Sequence, residues 1–260
     1  RQKDHEQDHG CRPGKSLCKG NGVCRRTAKD FDRDLVLISL KGMTELNQEM
    51  KYVLRRYLIL MIGLAVMAVG VAFSIKADLG TSPVSSVPYV ISLFTPLTVG
   101  TVTILMHGVF ILMQILILRK DYHLIQLMQL PAAFFFGYLT DFGVWALQGI
   151  HYGSYWQQWI FCVIGILLLG VGVFLEVKAG VVVLAGEGLV LAICQVLPVK
   201  FGNMKVAFDV ALVVTACVLG LVFTGQIQGV REGTVAAAIL VGQIAKRLGK
   251  LMERWKLEDL

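Results

Sequence analysis

The chain has 260 residues, of which 55% are hydrophobic and 17% are charged, and its mean hydropathy is +0.66. This composition excludes a soluble domain, because several windows hold about 18 or more nearly uncharged residues, the length that crosses a bilayer. The formal charge is +7, but most Lys and Arg flank apolar runs, where they orient a membrane protein and do not indicate nucleic-acid binding. We therefore expect an integral membrane protein that contacts the lipid bilayer.

The first 50 residues are polar, without sustained periodicity and without a signal-peptide pattern. One interpretation is a disordered cytoplasmic tail; the other is translated upstream sequence before a natural start at Met43 or Met50. This segment also contains Cys11, Cys18, Cys24, His5 and His9. Their spacing matches no common zinc framework, so no metal site is predicted. The membrane domain is assigned to residues 51–260.

The first predicted span, over about 57–75, is followed by a break and an early restart. Ser82 and Pro83 are typical of a helix start, with Ser at the N-cap and Pro at the first helical position. The segment that follows ends near Phe94 and is too short to cross a membrane. One stripe of it is polar: Ser82, Ser85, Ser86, Tyr89 and Ser92. We predict an amphipathic half-helix that is either re-entrant or interfacial.

Five more predicted spans and a second half-helix follow between the first half-helix and the C-terminus. The spans are predicted over about 98–118, 126–147, 159–177, 204–223 and 233–245. Gly186-Glu187-Gly188 opens the second half-helix, which extends towards Pro198. If neither half-helix crosses, most Lys and Arg fall on one side. The positive-inside rule then predicts a multi-pass protein with both termini cytoplasmic.

An internal duplication relates the two halves of this region. Residues 62–92 align without a gap with residues 164–194, an offset of 102. Each copy, over about 57–147 and 159–248, contains three spans, and an odd number inverts the second copy. The predicted fold is therefore all-α, with six transmembrane helices in two inverted three-helix repeats, each with a broken helix after its first span. Such breaks must line protein or water, which predicts a cavity between them.

Ionisable residues inside apolar runs are the candidates for this cavity, because burying them there is costly. His107 and Asp209 are equivalent under the offset, and such a pair could bind a cation, relay a proton or only neutralise itself. The predicted substrate site is His107, Asp209, Glu187, Ser82, Ser85, Ser86 and Tyr89. The starts of the half-helices favour an anionic group, whereas Glu187 and Asp209 favour a cationic one. A small zwitterion or an ion pair would satisfy both.

Four further charged residues lie near the ends of predicted spans. Lys76 and Lys178 occupy matched positions, where snorkelling to the interface competes with ligand contact. Arg231 and Glu232, at the mouth of the sixth span, are predicted to pair with each other or to line an entrance. No zinc-protease, nucleophile-elbow, Walker A or dinucleotide motif is found, so neither an enzyme nor a cofactor is predicted.

Four segments resemble the YczE/YyaS/YitT group of bacterial inner-membrane proteins: KADLGTSPVSSVPYVIS, GEG, FGNMKVAFDV and GVREGTVAAAILVGQIAKRL. The resemblance covers about residues 50–247 and implies a duplicated multi-span architecture, but no function. The sequence favours a permease for an unknown small solute or ion, or a substrate-binding membrane subunit. It would act as a homo-oligomer or beside a partner subunit. The alternatives are an intramembrane enzyme using His107 and Asp209 as an acid–base pair, and a ligand-free assembly or scaffold factor.

Overall fold

The computed structural model describes the backbone of residues 28–254 and the side chains of residue 48 and residues 50–252. Residues 1–27, with the N-terminal Cys and His residues, lie outside the described residues, as do residues 255–260. Contacts divide the chain into two units, Arg1–Lys51 and Tyr52–Leu260. The first unit contributes the beginning of a long helix to the described residues, and the candidate site belongs to the second.

The described residues form helices joined by short connections and contain no strand, which confirms the predicted all-α class. The α-helices are α1 Ala28–Ala77, α2 Pro83–Phe94, α3 Val99–Leu118, α4 Gln129–Ala146, α5 Tyr155–Ala179, α6 Ala185–Val196, α7 Phe201–Thr224 and α8 Glu232–Arg254. Two 3-10 segments, Arg119–Asp121 and Leu124–Met128, connect α3 to α4.

Four helices within this part of the chain are long and apolar enough to cross a membrane. They are Met50–Ala77, Val99–Asp121, Tyr155–Ala179 and Phe201–Thr224. The half-helices α2 and α6 are apolar but only 12 residues long. The predicted third and sixth spans are more polar: α4 carries Gln129 and Asp141, and α8 begins with Glu232 and ends in a basic stretch. The chain is thus a multi-pass membrane protein, and a total of six spans stays a prediction.

Several predicted boundaries differ from the structure, most clearly those of the third and sixth spans. The third span begins at Gln129, behind a 3-10 segment, so Pro131 falls in the first turn of α4, where its missing N–H is not needed. Helix α8 continues past the predicted end at Ala245 to Arg254, because no Gly-Pro signal stops it. Its basic residues Lys246 and Arg247 are exposed.

Both half-helices are packed inside the bundle. Helix α2 packs against α3 and α7, and α6 packs against α3, α4 and α7. The Ser82 hydroxyl caps α2 by accepting from the Ser85 amide at 3.4 Å, as the Ser-Pro signal indicates. Ser85 and Ser86 are buried, so this polar stripe faces protein and not the surroundings.

Helices α1 and α5 cross at four glycines. A Cβ at Gly63 would lie 3.2 Å from the Gly172 carbonyl oxygen, and one at Gly70 would lie 3.0 Å from the Gly165 oxygen. Gly63 and Gly165 are counterparts under the 102-residue offset, and so are Gly70 and Gly172. Gly63 thus contacts the counterpart of Gly70, and Gly70 contacts the counterpart of Gly63. Two antiparallel helices make such reciprocal contacts. Small residues of this kind let membrane helices approach closely.

The α3–α4 contact is tight and polar at one end. Gly100 lies against Gly137, and the Asp141 carboxylate accepts from the Gly100 amide at 2.7 Å and from the Thr98 hydroxyl at 2.6 Å. A carboxylate at this place satisfies the free amides that begin α3 and suits the positive end of its dipole.

Helices α7 and α8, the counterparts of α3 and α4, do not pack closely against each other. Helix α8 packs along α5, and in the described residues it makes at most marginal backbone contact with α7. The counterparts of Gly137 and Asp141 are Ile239 and Gln243, which can supply neither the close approach nor the carboxylate cap. Of the four spans, α7 accordingly has the smallest buried share, 17%.

Replacing Asp141 with Ala should lower the free energy of unfolding by about 1–2 kcal/mol, because the Gly100 amide at the start of α3 loses its acceptor. Thermal unfolding in detergent measures the loss. The matched control is Asp121→Ala, which removes an exposed carboxylate beyond the other end of α3. An equal loss of stability in both variants would contradict the capping role.

Candidate functional site

A cavity of about 220 Å³ lies inside the bundle, and every one of the α-helices contributes to its wall. Most of the wall is apolar, as at Val71, Phe136 and Leu169. Its polar side chains are Ser82, Ser85, Thr103, His107, Glu176, Glu187, Lys205 and Asp209. A dry cavity of about 150 Å³ accommodates benzene in another protein, so this one has room for a small organic solute.

The starts of both half-helices face this cavity. Helix α2 contributes Ser82 and Ser85, whose hydroxyl groups are 3.0 Å apart. Helix α6 contributes Glu187 from its first turn. Leu184, the residue just before α6, donates its backbone N–H to the Glu176 carboxylate at 2.5 Å. Each break in the chain is therefore stabilised by a side chain that also lines the cavity.

His107 is one of the two most enclosed polar groups of the wall, with 1% of its surface exposed. Its Nδ1 donates to the Thr103 carbonyl oxygen at 2.8 Å, one turn earlier on α3. Its Nε2 has no hydrogen-bond partner, and the edge of the ring meets Phe110 and Phe136. Since Nδ1 carries the proton, Nε2 of the neutral ring is an acceptor. A buried polar atom without a partner is rare and needs an explanation.

Asp209 is paired with Lys205, one turn earlier on α7, at 2.9 Å. The side chains are 19% and 25% exposed, so the pair lies at the edge of the cavity. In the described residues no hydrogen bond or ion pair joins His107 to Asp209. Their equivalence under the offset thus places them in one cavity without pairing them directly.

Glu176 and Lys205 were not among the predicted site residues. Glu176, with 1% of its surface exposed, lies near the end of α5. A carboxylate within an apolar run is the signal that could have found it. Lys205 was predicted only as a charge that orients the protein, and its role in pairing with Asp209 depends on the i, i+4 spacing on α7.

The remaining predicted residues lie outside this cavity. Ser86 is buried and donates to the Pro83 carbonyl oxygen at 2.7 Å. Tyr89 and Lys76 line a separate pocket with Asp78, and the Lys76 ammonium donates to the Gln148 carbonyl oxygen at 3.3 Å.

The matched lysine and the pair at the start of α8 are also peripheral. The Lys178 ammonium donates to the Met252 sulfur at 3.6 Å. Arg231 Nε lies 3.7 Å from the Glu232 carboxylate, and Arg231 Nη1 donates to the Asp78 carbonyl oxygen at 2.9 Å. The structure therefore brings together five predicted substrate residues, namely His107, Asp209, Glu187, Ser82 and Ser85.

A second cavity, of about 250 Å³, is lined by glutamines that the sequence did not single out. Gln114 donates to the Gln129 side-chain oxygen at 3.1 Å and to the Ala185 carbonyl oxygen at 3.0 Å. A Cβ at Gly188 would lie 2.7 Å from the Gln129 amide nitrogen, so a larger residue there would shift the glutamine side chains. These contacts hold α6 against α3 and α4.

A bundle of spanning helices around a largely apolar cavity that holds ionisable groups defines a multi-pass membrane protein with a candidate internal site. A family model described as a family of unknown function, DUF6198, matches residues 54–250, and the chain belongs to that family. The match does not name the YczE/YyaS/YitT group, so that closer resemblance stays a prediction. No curated protein and no solved structure matches the chain.

Proposed function

We propose that this protein is a small-solute permease, or the substrate-binding membrane subunit of one, and that the central cavity is its binding site. The observation that carries the proposal is the composition of the wall. Every α-helix contributes to it, both half-helices begin at it, and it holds ionisable groups that apolar helices would otherwise exclude. Secondary transporters place their substrate near the midplane, between interrupted helices.

Six spans in two inverted repeats are part of this proposal. The reciprocal glycine contact of α1 with α5 supports it, and so does the packing of α2 on α7 and of its counterpart α6 on α3. The cavity wall also consists largely of counterparts: Ser82 and Leu184, Ser85 and Glu187, Thr103 and Lys205, and His107 and Asp209. A two-fold axis in the membrane plane would pass through such a cavity.

The location and orientation of the protein are part of this proposal, and the charges support the orientation. The basic residues exposed at the end of α8 would lie at the cytoplasmic face of a bacterial inner membrane, with the C-terminus inside. An even number of spans then places the N-terminus on the same side. The open apolar face of α7 would contact lipid or a second subunit.

No specific observation favours the two alternatives. An acid–base enzyme would need His107 and Asp209 to act together, whereas Asp209 is engaged by Lys205. A scaffold without a ligand gives no reason for an unpartnered imidazole nitrogen in a cavity.

A thermal-shift screen of the full chain against metabolites and ions tests the proposal. We expect a stabilising solute to lose its effect in His107→Ala and in Asp209→Asn while both variants stay folded. The control is His123→Ala, since His123 is exposed outside the cavity. An unchanged ligand response in both cavity variants would overturn the site. Uptake of the stabilising solute into proteoliposomes then separates a permease from a binding subunit.

A further inference from the structure

We propose that the central cavity takes a small organic cation with an apolar group, such as a protonated primary amine. The inference rests on the proposed function and specifies its substrate class. The juxtaposition that carries it is an excess of carboxylates over ammonium groups in an apolar cavity, next to the unpartnered Nε2 of His107.

The charges of the wall do not balance. Glu176, Glu187 and Asp209 are acidic, and Lys205 is the basic side chain that lines the cavity with them. Lys205 is bonded to Asp209 at 2.9 Å and also interacts electrostatically with both glutamates, so a single ammonium group on the wall faces three carboxylates. Buried carboxylates require a partner of opposite charge or hydrogen-bond donors. A bound ammonium group supplies both.

The starts of the half-helices do not require an anionic ligand, because side chains of the protein already accept hydrogen bonds from backbone amides there. The Ser82 hydroxyl accepts from the Ser85 amide, and Pro83 has no N–H to satisfy. At the other break, Glu176 accepts from the Leu184 amide, and Glu187 in the first turn of α6 offsets the positive end of its dipole. The sequence indicates two opposing preferences, an anionic group at the half-helix starts and a cationic group at Glu187 and Asp209. The contacts described here favour the cationic group.

His107 gives independent evidence for a donor on the ligand. Its Nδ1 hydrogen is committed to the Thr103 carbonyl oxygen, so the free Nε2 accepts and does not donate. Nε2 is itself buried beside Phe110 and Phe136, so a ligand must displace one of these rings to reach it; an ammonium N–H would then satisfy this nitrogen, whereas a ligand carboxylate offers only acceptors. The arrangement therefore selects against an anionic group at this end of the cavity.

The size and the opening of the cavity indicate an organic cation. Most of its wall is apolar, and the described residues contain no group of three or more His, Cys, Asp or Glu placed to hold a metal ion. The wall is exposed where α7 faces α8: Val206 is 63% exposed, and Ala238 and Gly242 are exposed as well. A Cβ at Gly242 would meet nothing within 4 Å. An apolar group can enter through this gap.

Benzylammonium, benzyl alcohol and benzoate form a test series of one shape and three charges. Thermal stabilisation of the full chain by each probe at millimolar concentration is measured in detergent. We expect benzylammonium to stabilise the protein most and benzoate least. A preference for benzoate, or no stabilisation by benzylammonium, would overturn the inference.

Two variants with opposite expected signs sharpen this test. Glu187→Gln should weaken benzylammonium binding about tenfold or more, because one charged partner is lost. Lys205→Gln should strengthen it, because Asp209 is released to the ligand. The control is Asp121→Asn, which changes an exposed carboxylate and should leave benzylammonium binding as it is in the parent protein. If Glu187→Gln does not fold, the sign for Lys205→Gln decides, and weaker binding there would overturn the inference.

The same measurements distinguish failure of the cation class from failure of the cavity as a binding site. If benzoate or benzyl alcohol binds best and the response still depends on His107 and Asp209, only the cation class fails. If no cavity variant changes any response, the proposed function fails as well.

Discussion

Gly100→Val is expected to prevent stable packing of α3 against α4. A Cβ at this position would run into the Gly137 carbonyl oxygen and would lie 2.6 Å from Cγ of Asp141. Neither neighbour can yield without cost, since one is helix backbone and the other caps α3. Overpacking and loss of the cap together correspond to about 3 kcal/mol or more. We expect little folded protein in size-exclusion chromatography and a strongly lowered melting temperature.

The same helix provides the control for this prediction. A Cβ at Gly108 would meet nothing within 4 Å, and Gly108→Val places the same β-branched residue in α3. It should leave the melting temperature close to that of the parent protein. If both variants behave alike, helix propensity and not the α3–α4 contact would account for the effect.

Glu176→Ala is expected to destabilise the break before α6 and to abolish ligand stabilisation. It removes the acceptor of the Leu184 amide and leaves that N–H buried, which costs on the order of 1–3 kcal/mol. Chemical or thermal unfolding measures this loss, and the response to benzylammonium measures the lost carboxylate.

Glu176→Gln separates the two roles of this side chain. Glutamine retains an oxygen that can accept from Leu184, so most of the stability should return. The response to benzylammonium should stay weak, because the negative charge is absent. Equal melting temperatures for the Ala and Gln variants would show that the contact with Leu184 contributes nothing.

The fold features that could be predicted are those with a local cause. Runs of apolar residues predict the four helices that are apolar enough to span a membrane, and the Ser82-Pro83 pair predicts the start of α2 through an N-cap contact. His107, Asp209 and Glu187 could be found because ionisable groups are costly inside apolar runs and because the offset relates the first two.

The features that were missed depend on how the helices rotate and pack. A polar stripe on a short helix is wider than the part that meets a cavity, so Ser86 and Tyr89 share the stripe with Ser85 but lie elsewhere. Glu176 reaches the cavity only because the chain turns back at the end of α5 and presents the Leu184 amide to it. The partner of Asp209 likewise depends on local spacing on α7 and not on the two-fold relation.

If the protein is the permease proposed above, the unequal packing of α3 on α4 and of α7 beside α8 has a consequence for the order of events in transport. The first pair of helices has close glycines and a carboxylate cap, whereas Ile239 and Gln243 take those places in the second. A permease that exposes its site alternately on two sides would therefore have two states of unequal free energy. The state open at α7–α8 would be the more populated at rest, so solute on that side would reach the site first.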